Sequence, residues 1–107
     1  MNLGLFPLNL VLFPNTRIPL HIFEPRYRTL ITESLERGSE FGINLVERGH
    51  LHPVGCTARV VQITQQFPDG RMDVLVEGIR RYRLLDVRDD VQPYAVGDVE
   101  LIEDDNV

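Results

Sequence analysis

The residues of this chain that could take part in chemistry are few, and they do not converge. His50-Leu51-His52 places two imidazoles on one face of an extended segment, with Cys56 four residues later. A zinc site needs three or four such ligands in a closed set. There is no second cysteine, and the missing ligands would have to be His21 or carboxylates. The pattern therefore points to exposed loop histidines and to no metal. Cys56 would act as a nucleophile only in an electropositive, partly exposed setting. It opens the β-rich run Cys56-Thr57-Ala58 instead, where a small buried side chain fits the core. Adjacent carboxylates occur at Asp89-Asp90 and Asp104-Asp105. Such pairs do acid–base work when burial drives their pKa values apart, whereas these fall in a turn and a tail, where both stay solvated.

All 11 basic residues are arginine. The absence of lysine removes the P-loop lysine, a Schiff-base lysine and a Ser–Lys dyad together. The only serines, Ser34 and Ser39, lie at the end of a predicted helix. With no ATPase or peptidase motif, the chain reads as non-catalytic, without catalytic residues or a cofactor. Arg80-Arg81-Tyr82-Arg83 is the one segment suited to RNA, because guanidiniums hold phosphates and stack on bases. The competing reading is an arginine-rich strand paired with neighbouring acids. A net charge of −5 favours it and makes nucleic acid an unlikely partner.

The elements that position these residues follow from length and patterning. The 107 residues suffice for one domain with one core. No apolar run approaches the roughly 20 residues of a bilayer span. The start, Met1-Asn2-Leu3-Gly4-Leu5-Phe6-Pro7, has no basic region, so it reads as a first strand. A single cysteine fits a reducing cytoplasm. Pro7, Pro14, Pro19 and Pro25 punctuate the first quarter and confine it to short, bent strands at Leu3–Leu8 and Arg17–Phe23, with a turn near Pro14-Asn15.

Pro25 suits the first position of a helix over 25–37, with Tyr27, Leu30, Ile31 and Leu35 as one apolar stripe. Glu24–Arg28 and Glu33–Arg37 are i,i+4 pairs, and Gly38 is a left-handed cap. Strands follow at Phe41–Glu47, Val54–Phe67, Met72–Val87 and Tyr94–Ile102. Pro68-Asp69-Gly70 makes a hairpin connection, and Gly78 marks a bulge or kink. About six strands and one long helix make a mainly β, mostly antiparallel barrel or curled sheet over 1–102, with an acidic tail at 103–107.

The order of short blocks is more specific than any one of them. Leu5-Phe6-Pro7-Leu8, Leu12-Phe13-Pro14 and Ile18-Pro19-Leu20-His21-Ile22-Phe23-Glu24-Pro25-Arg26-Tyr27-Arg28 open the chain. Val54-Gly55-Cys56-Thr57-Ala58, Phe67-Pro68-Asp69-Gly70-Arg71 and Val74-Leu75-Val76-Glu77-Gly78-Ile79-Arg80-Arg81-Tyr82-Arg83 follow, and Pro93-Tyr94 with Val99-Glu100 closes the series. Together they resemble the N-terminal domain of Lon proteases, in its stand-alone bacterial form. The resemblance implies a PUA-like pseudo-barrel with one helix packed on it. It also implies a domain that recognises unfolded or tagged protein substrates for an ATP-dependent protease.

Family members usually continue into a helical part, so an apolar face left bare here is expected to pair with another copy. The expected function is binding of extended protein segments by apolar contact, aided by hydrogen bonds from open strand edges. Phe13, Pro14, Arg17, His21, Glu24 and Arg26 are the candidate contacts, although helix entry and packing are the stronger explanation for Glu24, Pro25, Arg26 and Tyr27. The alternative is a PUA-like RNA module using Arg80, Arg81 and Arg83.

Overall fold

The computed structural model describes residues 1–90 and 93–103. Asp104-Asp105 and most of the acidic tail thus lie outside the described residues. In order come β1 (Asn2–Leu8), β2 (Arg17–Ile22), α1 (Pro25–Arg37), β3 (Phe41–Glu47), β4 (His50–Gln66), β5 (Met72–Arg88) and β6 (Val96–Leu101). The spatial order is β2-β5-β4-β3-β1-β6, and β5 also pairs with β6. This extra pairing closes β1, β3, β4, β5 and β6 into a ring and leaves β2 outside it, on the flank of β5. Only β1–β3 is parallel; the other pairings are antiparallel. The expected mainly β pseudo-barrel with one helix is the fold observed.

Closure depends on one irregularity in β5. Cys56 pairs with Arg81 and Ala58 with Gly78, so β5 carries an extra residue around Ile79 and Arg80. An inserted residue reverses the alternation of a strand's two faces. Val74 and Val76 consequently join Leu20, Ile22, Leu30, Ile31, Phe41 and Ile43 in a core between the sheet and α1. Beyond the bulge, Tyr82 turns to the other face and fills the ring's interior with Leu3, Leu5 and Val99. The Thr57 hydroxyl accepts the displaced Arg80 N–H at 3.0 Å. Gly78 itself is needed for a different reason: a Cβ there would stand 2.2 Å from the Phe13 carbonyl oxygen.

Several local expectations change. The helical stripe runs through Ser34 rather than Leu35, which is 40% exposed, because 27, 30, 31 and 34 are the positions that share one face at 3.6 residues per turn. Buried Ser34 donates its hydroxyl to the Ser39 carbonyl. Glu24 is the N-cap residue, and its carbonyl accepts from Tyr27 and Arg28 at 3.0 Å. Arg28 does not pair with it; Arg28 Nη1 donates to the Asp69 carbonyl of the β4–β5 turn at 2.8 Å. Glu33 and Arg37 do pair, at 3.8 Å. His50 and His52 begin β4 and are not in a loop, since the turn before them is already complete at Arg48-Gly49. Tyr94 precedes β6, buried, with its hydroxyl on Glu33 of α1.

Candidate functional site

The apolar front of the chain divides between core and surface. Leu12 is buried, whereas Val11 and Phe13 on either side of it are 55% and 60% exposed. The segment cannot relax inward, because the turn that follows is pinned. Asn15 takes a left-handed φ of 66°, its N–H donates to the Gly78 carbonyl at 2.8 Å, and Gly78 N–H donates to the Thr16 carbonyl at 2.9 Å. The Thr16 hydroxyl closes the turn on the Phe13 carbonyl.

Val11 and Phe13 thus overhang a groove of about 360 Å³ whose walls are Ile43 and Leu45 of β3, His52, Val54, Gly55 and Cys56 of β4, and Arg81 of β5. That volume falls within the range of ligand-sized sites. Cys56 lies at its base, buried, and burial pushes its thiol pKa above the usual range, so it forms part of the core as its sequence context suggests. A largely apolar groove with two exposed hydrophobic side chains at its edge can take up an apolar side chain.

The six residues singled out as contacts do not form one site. Phe13 lines the groove, but Pro14 lines a separate depression with Asn15, Ile79 and Arg80. Arg17 Nε meets Glu77 at 2.9 Å in an exposed cross-strand pair. His21 Nδ1 lies 2.6 Å from Asp73, between the rings of Phe23 and Phe67. Glu24 and Arg26 stay at the helix entry, 3.9 Å apart. Of the residues lining the groove only Phe13 belongs to that set; the sequence signal for its neighbours Val11 and Leu12 was an apolar run, Leu10 to Phe13, in a segment too rich in proline for a long strand, and the lining residues of β3, β4 and β5 carried none.

Among the described residues no group of three His, Cys, Asp or Glu side chains is placed to hold a metal. Arg80 and Arg83 of the candidate RNA strand face carboxylates, Glu40 at 3.1 Å and Glu100 at 3.3 Å, while Tyr82 between them is fully buried. No helix among the described residues is long and apolar enough to cross a membrane.

The free edges are poor templates for strand addition. β2 carries Pro19, which has no N–H to offer. Beyond Ala58, where β3 ends, β4 is broken against β5 by bulges at Val60/Gln62 and Ile63/Gln65. Proline and bulges are devices that blunt sheet edges. The expected hydrogen bonds from open strand edges therefore find little to form on here.

Fold and groove define a six-stranded β pseudo-barrel with a largely apolar surface groove, and comparison with known proteins narrows the class. The model of the ATP-dependent protease La (LON) substrate-binding domain matches residues 2–107, and the chain belongs to that family. It is 27% identical over 105 residues to Lon protease 1 of Hydrogenovibrio crunogenus, which covers 91% of this chain and 13% of that protein. It is 30% identical over 104 residues to Lon protease of Parabacteroides distasonis, covering 90% and 12%. The chain thus spans only a small part of the length of these relatives. The crystal structure of a Lon N-terminal domain protein from Xanthomonas campestris superposes with a TM-score of 0.85 at 34% identity, over 99% of this chain and 62% of that one. The N-terminal domain of Mycobacterium avium complex Lon protease shares the fold, with a TM-score of 0.80 at 13% identity over 100% of this chain and 57% of that one.

Proposed function

We propose that this domain is a non-catalytic recognition module that holds extended, unfolded protein segments, with the groove under Phe13 as its seat for a bulky apolar side chain. The observation that carries this reading is the pair of large apolar side chains, Val11 and Phe13, kept in solvent by a hydrogen-bonded turn above an apolar floor. Leaving them exposed forgoes burial of the order of 2 kcal/mol each, an arrangement that suits a surface completed by a partner. The family supports a protein substrate as that partner. A role as adaptor to an ATP-dependent protease in the cytoplasm is the biological setting we assign to it. Homo-oligomerisation through a bare apolar face is a further part of that setting.

The test is a titration with a reduced, carboxymethylated protein that cannot fold, followed by fluorescence anisotropy. Saturable binding in the micromolar range is expected, the middle of the affinity scale, with loss of at least tenfold in affinity for Phe13→Ser. Binding that is absent up to about millimolar concentration, or indifferent to Phe13→Ser, overturns the assignment. Parallel titration with single-stranded RNA is expected to give only weak, steeply salt-dependent association.

A further inference from the structure

The groove owes one wall to an irregularity in the β3–β4 ladder. Asn44 opposes Gly55 and Val46 opposes Leu51, so His52, Pro53 and Val54 of β4 stand against the single residue Leu45. A wide excursion of this kind leaves backbone groups without ladder partners, and Pro53 fits it because it has no N–H to lose. His52 and Val54 line the groove together with Leu45 and Phe13, and Val54 is held on its other side by its pairing with Arg83 of β5.

The carbonyl of His52 is met by a side chain of β3. Asn44 Nδ2 donates to it at 2.9 Å, and Asn44 Oδ1 in turn accepts the hydroxyl of Tyr82. Asn44 and Tyr82 are both fully buried. Asparagine is the side chain that can do this, since it carries a donor and an acceptor on one planar amide. A buried amide in a core of this size is costly unless both ends are satisfied, and here one end holds the barrel interior while the other holds the groove wall.

We infer that Asn44 is a positioning residue for binding: it fixes the His52–Val54 wall at the spacing that admits a side chain under Phe13, without touching the ligand. The inference rests on the groove being the docking site. Its logic is preorganisation. A wall held in one place needs no ordering when the segment arrives, so affinity is kept.

The experiment compares Asn44→Ala with Tyr82→Phe, each titrated with the same reduced, carboxymethylated protein at a temperature where circular dichroism shows both folded. Both variants break a buried hydrogen bond and lose stability, but only Asn44→Ala releases the His52 carbonyl. Asn44→Ala is expected to weaken binding about tenfold, the equivalent of one hydrogen bond, and Tyr82→Phe to stay within about twofold on the same scale. Equal weakening by the two, or none by Asn44→Ala, overturns the inference.

Should Asn44→Ala not fold, deletion of His52 and Pro53 decides, because it leaves Val54 opposite Leu45 in a regular ladder. Its expected result is loss of detectable binding, and unchanged affinity overturns the inference. Phe13→Ser separates the two levels of the argument. If it abolishes binding while Asn44→Ala and the deletion do not, the groove stands and Asn44 is purely structural; if it has no effect, the groove itself is excluded.

Discussion

The ring interior and the groove beneath the Leu10–Phe13 segment lie back to back on β3 and β4, and they solve opposite problems. Inside, Tyr82 is fully buried, its hydroxyl is spent on Asn44, and Gly42 and Gly55 are vacant of Cβ atoms because its ring occupies that space. Outside, Phe13 stands 60% exposed over Cys56 and Ile43. One aromatic ring is used to hold the sheet closed, the other is kept out of the core by a pinned turn. The contrast teaches that stability and recognition are carried by different faces of the same two strands, joined through few residues. Those residues, Asn44 and Gly78, are where the separation can be broken.

The largest effect is expected from Gly42→Val. A Cβ at this position would lie 2.4 Å from Tyr82 Oη and 3.0 Å from Leu5 Cδ2, in a space with no exit. Overpacking of a sealed core costs about 3 kcal/mol at the upper end of its usual range. Urea denaturation should show that loss, while the material that remains folded keeps its affinity for unfolded protein. Gly78→Ala comes next and tests the junction. Its methyl group would meet the Phe13 carbonyl, forcing the turn away from β5 and breaking the Asn15–Gly78 and Gly78–Thr16 backbone bonds. Two such bonds are worth about 2 kcal/mol. Here stability and binding should fall together, and a Gly78→Ala protein with intact affinity would show that the turn does not fix Phe13.

How much of this was legible in the chain depends on distance along it. The helix, its Gly38 cap, the Pro68-Asp69-Gly70 turn and the order of strands are written in local patterns of proline, glycine and apolar spacing, and they appear as expected except that β4 already begins at His50 and β6 only at Val96. The role of Ser34 was hidden because hydroxyl and leucine compete for neighbouring positions one residue apart, and only the packed partner decides between them. The groove was illegible for a stronger reason. Its walls come from Val11, Leu45, Val54 and Arg81, brought together by register shifts between strands, and register faults leave no periodic trace. The acids that meet Arg80 and Arg83 are likewise 40 and 17 residues away. The arginine run alone could not reveal which carboxylates would face it.

A smaller effect is expected on the alkaline side. Burial, then the hydrogen bond to Glu33 and its charge, push the Tyr94 phenol up to about 12. Burial raises the phenol of Tyr82 and the thiol of Cys56 as well. A group whose folded pKa lies above its unfolded value of 10.0 contributes its full stability below pH 10 and loses it as pH climbs toward the folded value. The denaturation midpoint should therefore hold steady up to about pH 9 and decline between pH 10 and 12. In Tyr94→Phe the decline should be shallower, and an unchanged slope would remove Tyr94 from the explanation.

The smallest stability effect is expected where the binding effect is largest, at Phe13 itself. Its ring is mostly in solvent, so Phe13→Ser removes little packing, and exposed substitutions of this kind stay within about 0.5 kcal/mol. The turn behind it survives, because the bonds from Asn15, Thr16 and Gly78 involve no Phe13 side-chain atom. If urea midpoints of Phe13→Ser and parent coincide while affinity drops, the two faces of β3 and β4 are energetically separate. If instead the unfolding free energy falls by about 2 kcal/mol, the scale of a buried aliphatic group, then the ring is serving the core after all and its exposure is no sign of a partner.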